Sequence, residues 1–222
     1  MFEIYSRFEE REFLISLTTA YAFITVSFVL CLAPGPDNIF VLTQSALYGR
    51  VKGYLVTLGL CTGLIVHTLV VALGFAALLK TSPFTITLLK IIGAGYLSYL
   101  GWLALNAAHN SLTSRENISL SPLQLYRRGI IMNVTNPKVS IFFLAFLPQF
   151  ANPQQGQVAQ QIMLLGSLFI LVTLVTFGVI AFLAGSLGSW LNQSAKAQQY
   201  LNRIAGLVFI ALALNLLFSD IG

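Results

Sequence analysis

The chain has 222 residues, of which 57% are apolar and only 9% are charged, and its mean hydropathy is +0.83. This number of charged side chains is too small to cover the surface of a soluble domain. The composition therefore predicts a protein embedded in a lipid bilayer. The net charge of +5 would suggest nucleic-acid binding in a soluble protein. Here most basic residues fall between apolar stretches, where they set membrane topology, and we expect no nucleic-acid partner.

Six stretches of the chain are long and apolar enough to span a bilayer, which takes about 20 residues per helix. They lie at roughly residues 13–33, 54–79, 84–106, 130–150, 162–186 and 200–218. The connections are short, so we expect a single polytopic membrane domain over residues 1–222. The acidic N-terminal segment is unlike a signal peptide, and we expect the first stretch to be retained as a helix.

The first apolar stretch ends in a polar break formed by Pro34, Gly35, Pro36, Asp37 and Asn38. Proline suits the first position of a helix, so Pro36 predicts a helix restart. The N-terminal end of the restarted helix favours a carboxylate ligand, and the free carbonyls of the preceding helix favour a cation. Asp37 is then either a solvated carboxylate that stabilises the helix start, or a functional group. In the functional reading it binds a substrate ammonium group, carries a proton or forms an ion pair with a lysine.

The second stretch carries His67, the only histidine inside a predicted span, on one face with Gly59 and Gly63. Glycines at four-residue spacing favour close helix contact over ligand contact. His67 is either a hydrogen-bonded interior residue or a proton relay.

A second polar break, Asn136, Pro137 and Lys138, interrupts the fourth stretch. Pro137 after an asparagine again predicts a helix restart. Lys138 opposes the dipole of its own helix, and its structural alternative is snorkelling to the cytoplasmic face. The amides of Asn133 and Asn136 either contact substrate or satisfy freed backbone groups.

The two halves of the chain, residues 13–106 and 130–218, share a pattern. Lys90 precedes Gly93 as Arg203 precedes Gly206, and each half contains one proline break. Because three spans per half is an odd number, the second half would enter the membrane in the opposite direction. The sequence therefore predicts an all-α membrane protein of six transmembrane helices. These form two inverted three-helix repeats, with proline-broken first and fourth helices.

The basic residues also predict an orientation. Four Lys and Arg residues fall on the N-terminal tail and the second connection, against seven on the first, third and fifth connections. The positive-inside rule therefore places both termini outside, although five spans or the opposite orientation stay open. The seven are Arg50, Lys52, Arg115, Arg127, Arg128, Lys196 and Arg203.

Taken in order, the motifs of the chain resemble those of the LysE/RhtB family of amino-acid exporters. The resemblance covers nearly the whole chain and weakens after residue 160. It implies a prokaryotic inner-membrane exporter of amino acids or close derivatives that is driven by the proton gradient. The matching residues are Pro34-Gly35-Pro36-Asp37-Asn38, Gly59 to Gly63 before His67, Gly93-Ala94-Gly95-Tyr96-Leu97 with Leu100-Gly101-Trp102, and Asn133 with Asn136-Pro137-Lys138 before Phe142-Phe143 and Pro148-Gln149-Phe150.

We expect alternating access about a site between the two breaks, with no enzymatic activity, cofactor or metal. The substrate carboxylate would meet Lys138, and Asp37 would receive the ammonium group and a proton, with His67 as the alternative proton site. One acidic and one basic group slightly favour a neutral zwitterion, and small-residue faces are compatible with a homodimer. The residues expected to bind substrate are Pro34, Gly35, Pro36, Asp37, Asn38, Asn133, Asn136, Pro137 and Lys138.

Two other functions stay open. A thiol-transfer protein of the CcdA/DsbD type would use Cys31, which stands three residues before Pro34, but the break at Pro137 lacks the matching cysteine. Cys61 lies in a different span. A passive channel or a structural membrane subunit is the second alternative, although a channel filter would need rings of acidic groups or carbonyls.

Overall fold

The computed structural model describes residues 14–33, 35–78, 83–106, 120–193 and 195–218, and every regular element within them is helical. In chain order the α-helices are α1 (Leu17–Leu32), α2 (Pro36–Tyr48), α3 (Arg50–Leu78), α4 (Pro83–Leu105), α5 (Pro122–Thr135), α6 (Pro137–Ile141), α7 (Val158–Gln193) and α8 (Ala195–Phe218). A π-helical turn (Phe142–Phe146) and a 3-10 helix (Leu147–Phe150) continue α6, and a second 3-10 helix covers Pro153–Gln155.

Two helices are broken where the sequence predicts it. The axes of α1 and α2 differ by 63°, and those of α5 and the 137–150 segment differ by 51°. Pro36 and Pro137 each begin the second helix of their pair, as predicted. The missing N–H of proline costs nothing at this position, because the first N–H groups of a helix have no partner within it.

The two broken helices run antiparallel to each other. Phe23 in α1 contacts Phe150, with ring centroids 5.1 Å apart, and the Arg128 guanidinium in α5 lies over the Phe40 ring in α2 at 4.8 Å. Residue numbers thus rise along one broken helix as they fall along the other. The two breaks meet near the middle of this pair.

The remaining helices of the two halves also pair in antiparallel fashion, α3 with α7 and α4 with α8. An inverted repeat requires this arrangement, because the equivalent helices of its two copies point in opposite directions. The pairing is defined by close contacts of Gly53 with Ala181, Gly166 with Thr68, Gly93 with Leu216 and Gly101 with Ile210.

Within the described residues, two helices are by themselves long and apolar enough to cross a membrane, over Arg50–Gly74 and Val158–Ala184. The number of candidate spans rises to four if each pair of helices joined at a break is counted as one span. The all-α membrane architecture is therefore confirmed, and the predicted count of six spans is not.

Two predicted connections are shorter than expected, because helices extend into them. Arg50 and Lys52, assigned to the first connection, lie in α3, and Arg127 and Arg128, assigned to the third connection, lie in α5. Polar residues kept these segments out of the apolar stretches, yet α5 begins with a complete capping box between Ser121 and Gln124. The N-terminal tail, Arg115 and the side chain of Lys196 lie outside what the structure describes.

The largest cluster of buried apolar side chains is rich in phenylalanine. Beyond Lys138 the helix widens into the π-helical turn, before Pro148, which lacks the N–H that an α-helix would donate to Leu144. The turn buries three rings, which pack with one ring from α1, one from the 3-10 helix and one from α7. These residues are Phe23, Phe142, Phe143, Phe146, Phe150 and Phe169.

Helices α3 and α5 cross at glycines. A Cβ atom on Gly59 would overlap the carbonyl oxygen of Tyr126 and lie 3.0 Å from the Cα atom of Gly129. A Cβ atom on Gly63 would lie 2.7 Å from the side chain of Asn133. The prediction that these glycines allow close helix contact is confirmed.

Replacing Gly59 with leucine is therefore expected to force α3 and α5 apart and to destabilise the protein by about 1–3 kcal/mol. Thermal unfolding of the purified protein in detergent measures the effect. Gly74→Leu is the matched control on the same helix, because a Cβ atom at Gly74 has no neighbour within 4 Å among the described residues. Equal losses of Tm in the two variants would show that the glycine contact is not the reason.

Candidate functional site

The C-terminal end of α1 presents backbone carbonyls that no helical N–H satisfies. In a continuous helix the N–H of residue 34 would bond to Leu30, but residue 34 is a proline and has none. The carbonyl of Cys31 instead accepts a hydrogen bond from the side-chain amide of Asn38. The first break thus satisfies one of its own carbonyls from within.

The other freed carbonyls are satisfied by the second half of the chain. Lys138 Nζ donates to the carbonyl oxygens of Leu30 at 3.3 Å and Ala33 at 3.1 Å. Gly35 leaves room for this contact, since a Cβ atom there would lie 3.1 Å from Nζ. Lys138 is only 7% exposed, so the interpretation as a snorkelling lysine is wrong. Its charge opposes the dipole of its own helix but complements the negative end of α1.

The second break caps itself and reaches back to the first. Asn136 Oδ1 accepts from the backbone N–H of Lys138 at 3.0 Å, which caps α6. Its Nδ2 donates to Asp37 Oδ2 at 2.9 Å. The two breaks therefore bind each other in both directions, through Lys138 on the carbonyls of α1 and through Asn136 on Asp37.

His67 gives the C-terminal end of α5 a second hydrogen bond. Pro137 cannot donate to the carbonyl of Asn133 four residues earlier, so that oxygen accepts from the backbone N–H of Asn136 at 3.1 Å, and His67 Nε2 lies 3.3 Å from it. A carbonyl only accepts, so Nε2 carries the hydrogen in this contact. The His67 ring also packs against the Phe143 ring in a tilted arrangement, with ring centroids 5.6 Å apart. The structure thus places His67 as a hydrogen-bonded interior residue next to the second break.

Asp37 is the only acidic residue in the part of the chain that the structure describes, and it is 3% exposed. Its Oδ2 atom accepts from Asn136, while the Lys138 ammonium group donates to carbonyls of α1, so none of these hydrogen bonds joins the two charged groups. Its Oδ1 atom has no hydrogen-bond partner, and neither do the side-chain oxygens of Asn38 and Asn133, within the described residues. Buried acceptors without donors are rare in proteins, so these oxygens favour a ligand that donates hydrogen bonds or carries positive charge.

The structure thus brings together most of the residues predicted to bind substrate. Gly35, Asp37, Asn38, Asn136 and Lys138 contact one another across the breaks or cap the carbonyls there. Asn133 lies one turn before the second break, and Pro36 and Pro137 set the helix starts. Pro34 lies outside the described residues.

Sequence reasoning missed the backbone carbonyls of Leu30 and Ala33 as partners of Lys138. The rule that a proline frees the carbonyl four residues earlier identifies Leu30 in advance. Nothing in the sequence, however, indicates which cation reaches it.

The two thiols are buried, and each lies against α7. Cys31 Sγ contacts Thr173 Oγ1 at 3.4 Å, and Cys61 Sγ lies 4.0 Å from the carbonyl oxygen of Ile170. Both cysteines are free. The arrangement gives no support to the thiol-transfer alternative.

A family model described as "LysE type translocator" matches residues 28–220 of the chain. A homoserine/homoserine lactone efflux protein of Salmonella typhimurium is 34% identical over 193 residues, 86% of this chain and 91% of its own length. A leucine efflux protein of an Enterobacter species is 26% identical, over 88% of this chain and 93% of its own length. An uncharacterised membrane protein of Bacillus subtilis is 27% identical, over 87% and 96%.

No solved structure matches the chain significantly. The family model covers both breaks and every described helix from α2 to α8, and the efflux relatives cover nearly the same length. The match is thus to the whole architecture and not to one motif. The chain belongs to the family of LysE type translocators.

Proposed function

We propose that this protein exports amino acids or close derivatives from the bacterial cytoplasm by secondary active transport. The observation that carries the proposal is a buried carboxylate and a buried ammonium group at two facing helix breaks, in a chain whose relatives include amino-acid efflux proteins. Ionisable groups within membrane segments typically mark a transport pathway. Broken helices near the middle of inverted repeats are typical substrate sites.

The two breaks offer both halves of a site for a zwitterion. Asp37 Oδ1 and the unpartnered side-chain oxygens beside it suit the ammonium group of the substrate. Lys138 and the N-terminal end of α6 suit its carboxylate. To meet a carboxylate, the Lys138 ammonium leaves the carbonyls of α1, which loosens the link between the two breaks. Substrate binding would then release one half of the protein to rock against the other, as alternating access requires.

Asp37 is also the proposed proton carrier. Protonation of its carboxylate would neutralise the site and allow the empty transporter to reset, so that proton influx drives export as in an antiporter. His67 is the alternative proton site, since it lies one helix away and bonds to the second break. With one acidic and one basic group, the site slightly favours a neutral amino acid over lysine or arginine.

The positions of the basic residues bear on the orientation of the protein in the membrane. Arg50 and Lys52 begin α3, and Arg128 lies in the middle of α5, beside α2. Lys52 Nζ donates to the carbonyl of Leu120, just before α5 begins. We propose that this basic end of the protein faces the cytoplasm of the inner membrane, with both termini outside, and that the protein can assemble as a homodimer.

Export is tested in bacteria without their own amino-acid exporters, loaded with amino acids from dipeptides. Cells that express the protein are expected to release one or a few amino acids faster than control cells, with homoserine and leucine tested first. Collapse of the proton gradient is expected to stop release against a concentration difference. Identical efflux from both strains for every amino acid would refute the proposal.

A further inference from the structure

Lys138 occupies a position where helix breaks in transporters bind a metal ion. In discontinuous membrane helices, the carbonyls at the C-terminal end of the first half-helix are typical ligands of Na⁺. Here the equivalent carbonyls, those of Leu30 and Ala33, hold the Lys138 ammonium group at 3.3 Å and 3.1 Å. We infer that Lys138 is a resident cation, which fills a monovalent cation site at the end of α1 and so makes bound Na⁺ unnecessary.

The surroundings of the Lys138 ammonium group suit a hard cation. Its partners are two backbone carbonyl oxygens, and further unpartnered oxygens lie at the same break on Asp37 and Asn38. Oxygen ligands from carbonyls and a carboxylate are the donors that hard cations prefer. The carboxylate of Asp37 supplies the negative charge that a cation there requires.

The positive charge at this position has a structural reason. The carbonyls of Leu30 and Ala33 belong to the negative end of the α1 dipole and are shielded from water by Lys138, which is only 7% exposed. Removal of the ammonium group leaves two buried carbonyls unpaired next to a buried carboxylate. An alkali metal ion bound by these carbonyls would restore the charge, whereas a quaternary ammonium ion has neither an N–H to donate nor open coordination sites for them.

The test is the thermal stability of purified Lys138→Met in detergent when sodium chloride replaces choline chloride at constant ionic strength. Methionine keeps most of the side-chain volume and removes the charge. The Tm of this variant is expected to rise by at least about 3 °C in sodium, because an ion that binds only the folded state stabilises it. The wild-type Tm is expected to be the same in both salts.

Lys138→Gln is the second neutral variant, in case methionine prevents folding. Lys52→Met is the matched control, because Lys52 also donates to a backbone carbonyl, that of Leu120, but lies away from the breaks. Sodium-dependent stabilisation of the wild type or of Lys52→Met to the same degree would overturn the inference. So would the absence of any sodium effect in both neutral variants.

The inference depends on the proposed function for one consequence only, namely that export by the wild type needs no Na⁺ at this site. The Tm measurement involves no amino acid and no transport. If no amino acid is exported, the inference about the cation site still stands, and if no sodium binds, the export proposal still stands.

Discussion

Replacing Asp37 with asparagine is expected to abolish gradient-driven export. The substitution keeps the shape of the side chain, and its amide oxygen can still accept the hydrogen bond that Asn136 now donates to Asp37 at 2.9 Å. It removes the only acidic group in the described part of the chain, and with it the partner for a substrate ammonium group and the proton carrier. The loss of one charge-assisted interaction of roughly 3 kcal/mol corresponds to a rate reduction on the order of 100-fold.

The measurement is amino-acid efflux from proteoliposomes with an imposed proton gradient, at equal amounts of folded protein. Asp37→Glu keeps the charge with one more methylene and is expected to retain partial export. His67→Gln separates the two candidate proton sites, because its amide can still donate to the carbonyl of Asn133. Gradient-driven export by Asp37→Asn with loss in His67→Gln would move the proton site to His67. Full export by both variants would reject both residues.

Lys138→Gln is expected to weaken export by on the order of tenfold without preventing insertion. Glutamine reaches less far and carries no charge, so it replaces at most one of the two bonds from Lys138 to Leu30 and Ala33. An unsatisfied buried carbonyl costs about 1–3 kcal/mol, and the substrate carboxylate also loses its cation. Both effects act at the breaks and are expected to raise the substrate concentration needed for half-maximal export.

Lys52→Gln is the control for a lost lysine bond to a backbone carbonyl outside the site. It is expected to export like the wild type in proteoliposomes. If Lys138→Gln exports with an unchanged half-maximal concentration and rate, Lys138 is a structural cap for α1 and takes no part in substrate binding. Equal loss in the two lysine variants would point to general destabilisation.

The sequence alone predicts much of this architecture because prolines and charges are costly in a membrane. Pro36 and Pro137 each mark a helix start, and the structure places them there. The glycines at 59 and 63 predict a close helix contact, which the structure shows against α5. These features are local or periodic, so each can be recognised from a single segment of the sequence.

The partners of the buried groups are not predictable in the same way. Lys138 binds carbonyls more than one hundred residues earlier in the chain, and backbone carbonyls carry no residue-specific signal. An ion pair with Lys138 is one of the roles that the sequence leaves open for Asp37, but in the structure Asn136 donates to the carboxylate and the lysine donates to carbonyls of α1. The first half of α5 is not predicted, because its polar residues resemble those of a connection.

The most direct test of the central claim is the thermal stability of the purified protein with and without the exported amino acid. We expect this amino acid to raise the Tm of the wild type, to raise it less in Lys138→Gln and not to raise it in Asp37→Asn, because the ligand binds at the two breaks of the folded protein. The same increase of Tm in all three proteins would contradict binding at the breaks, since the substrate would then bind elsewhere.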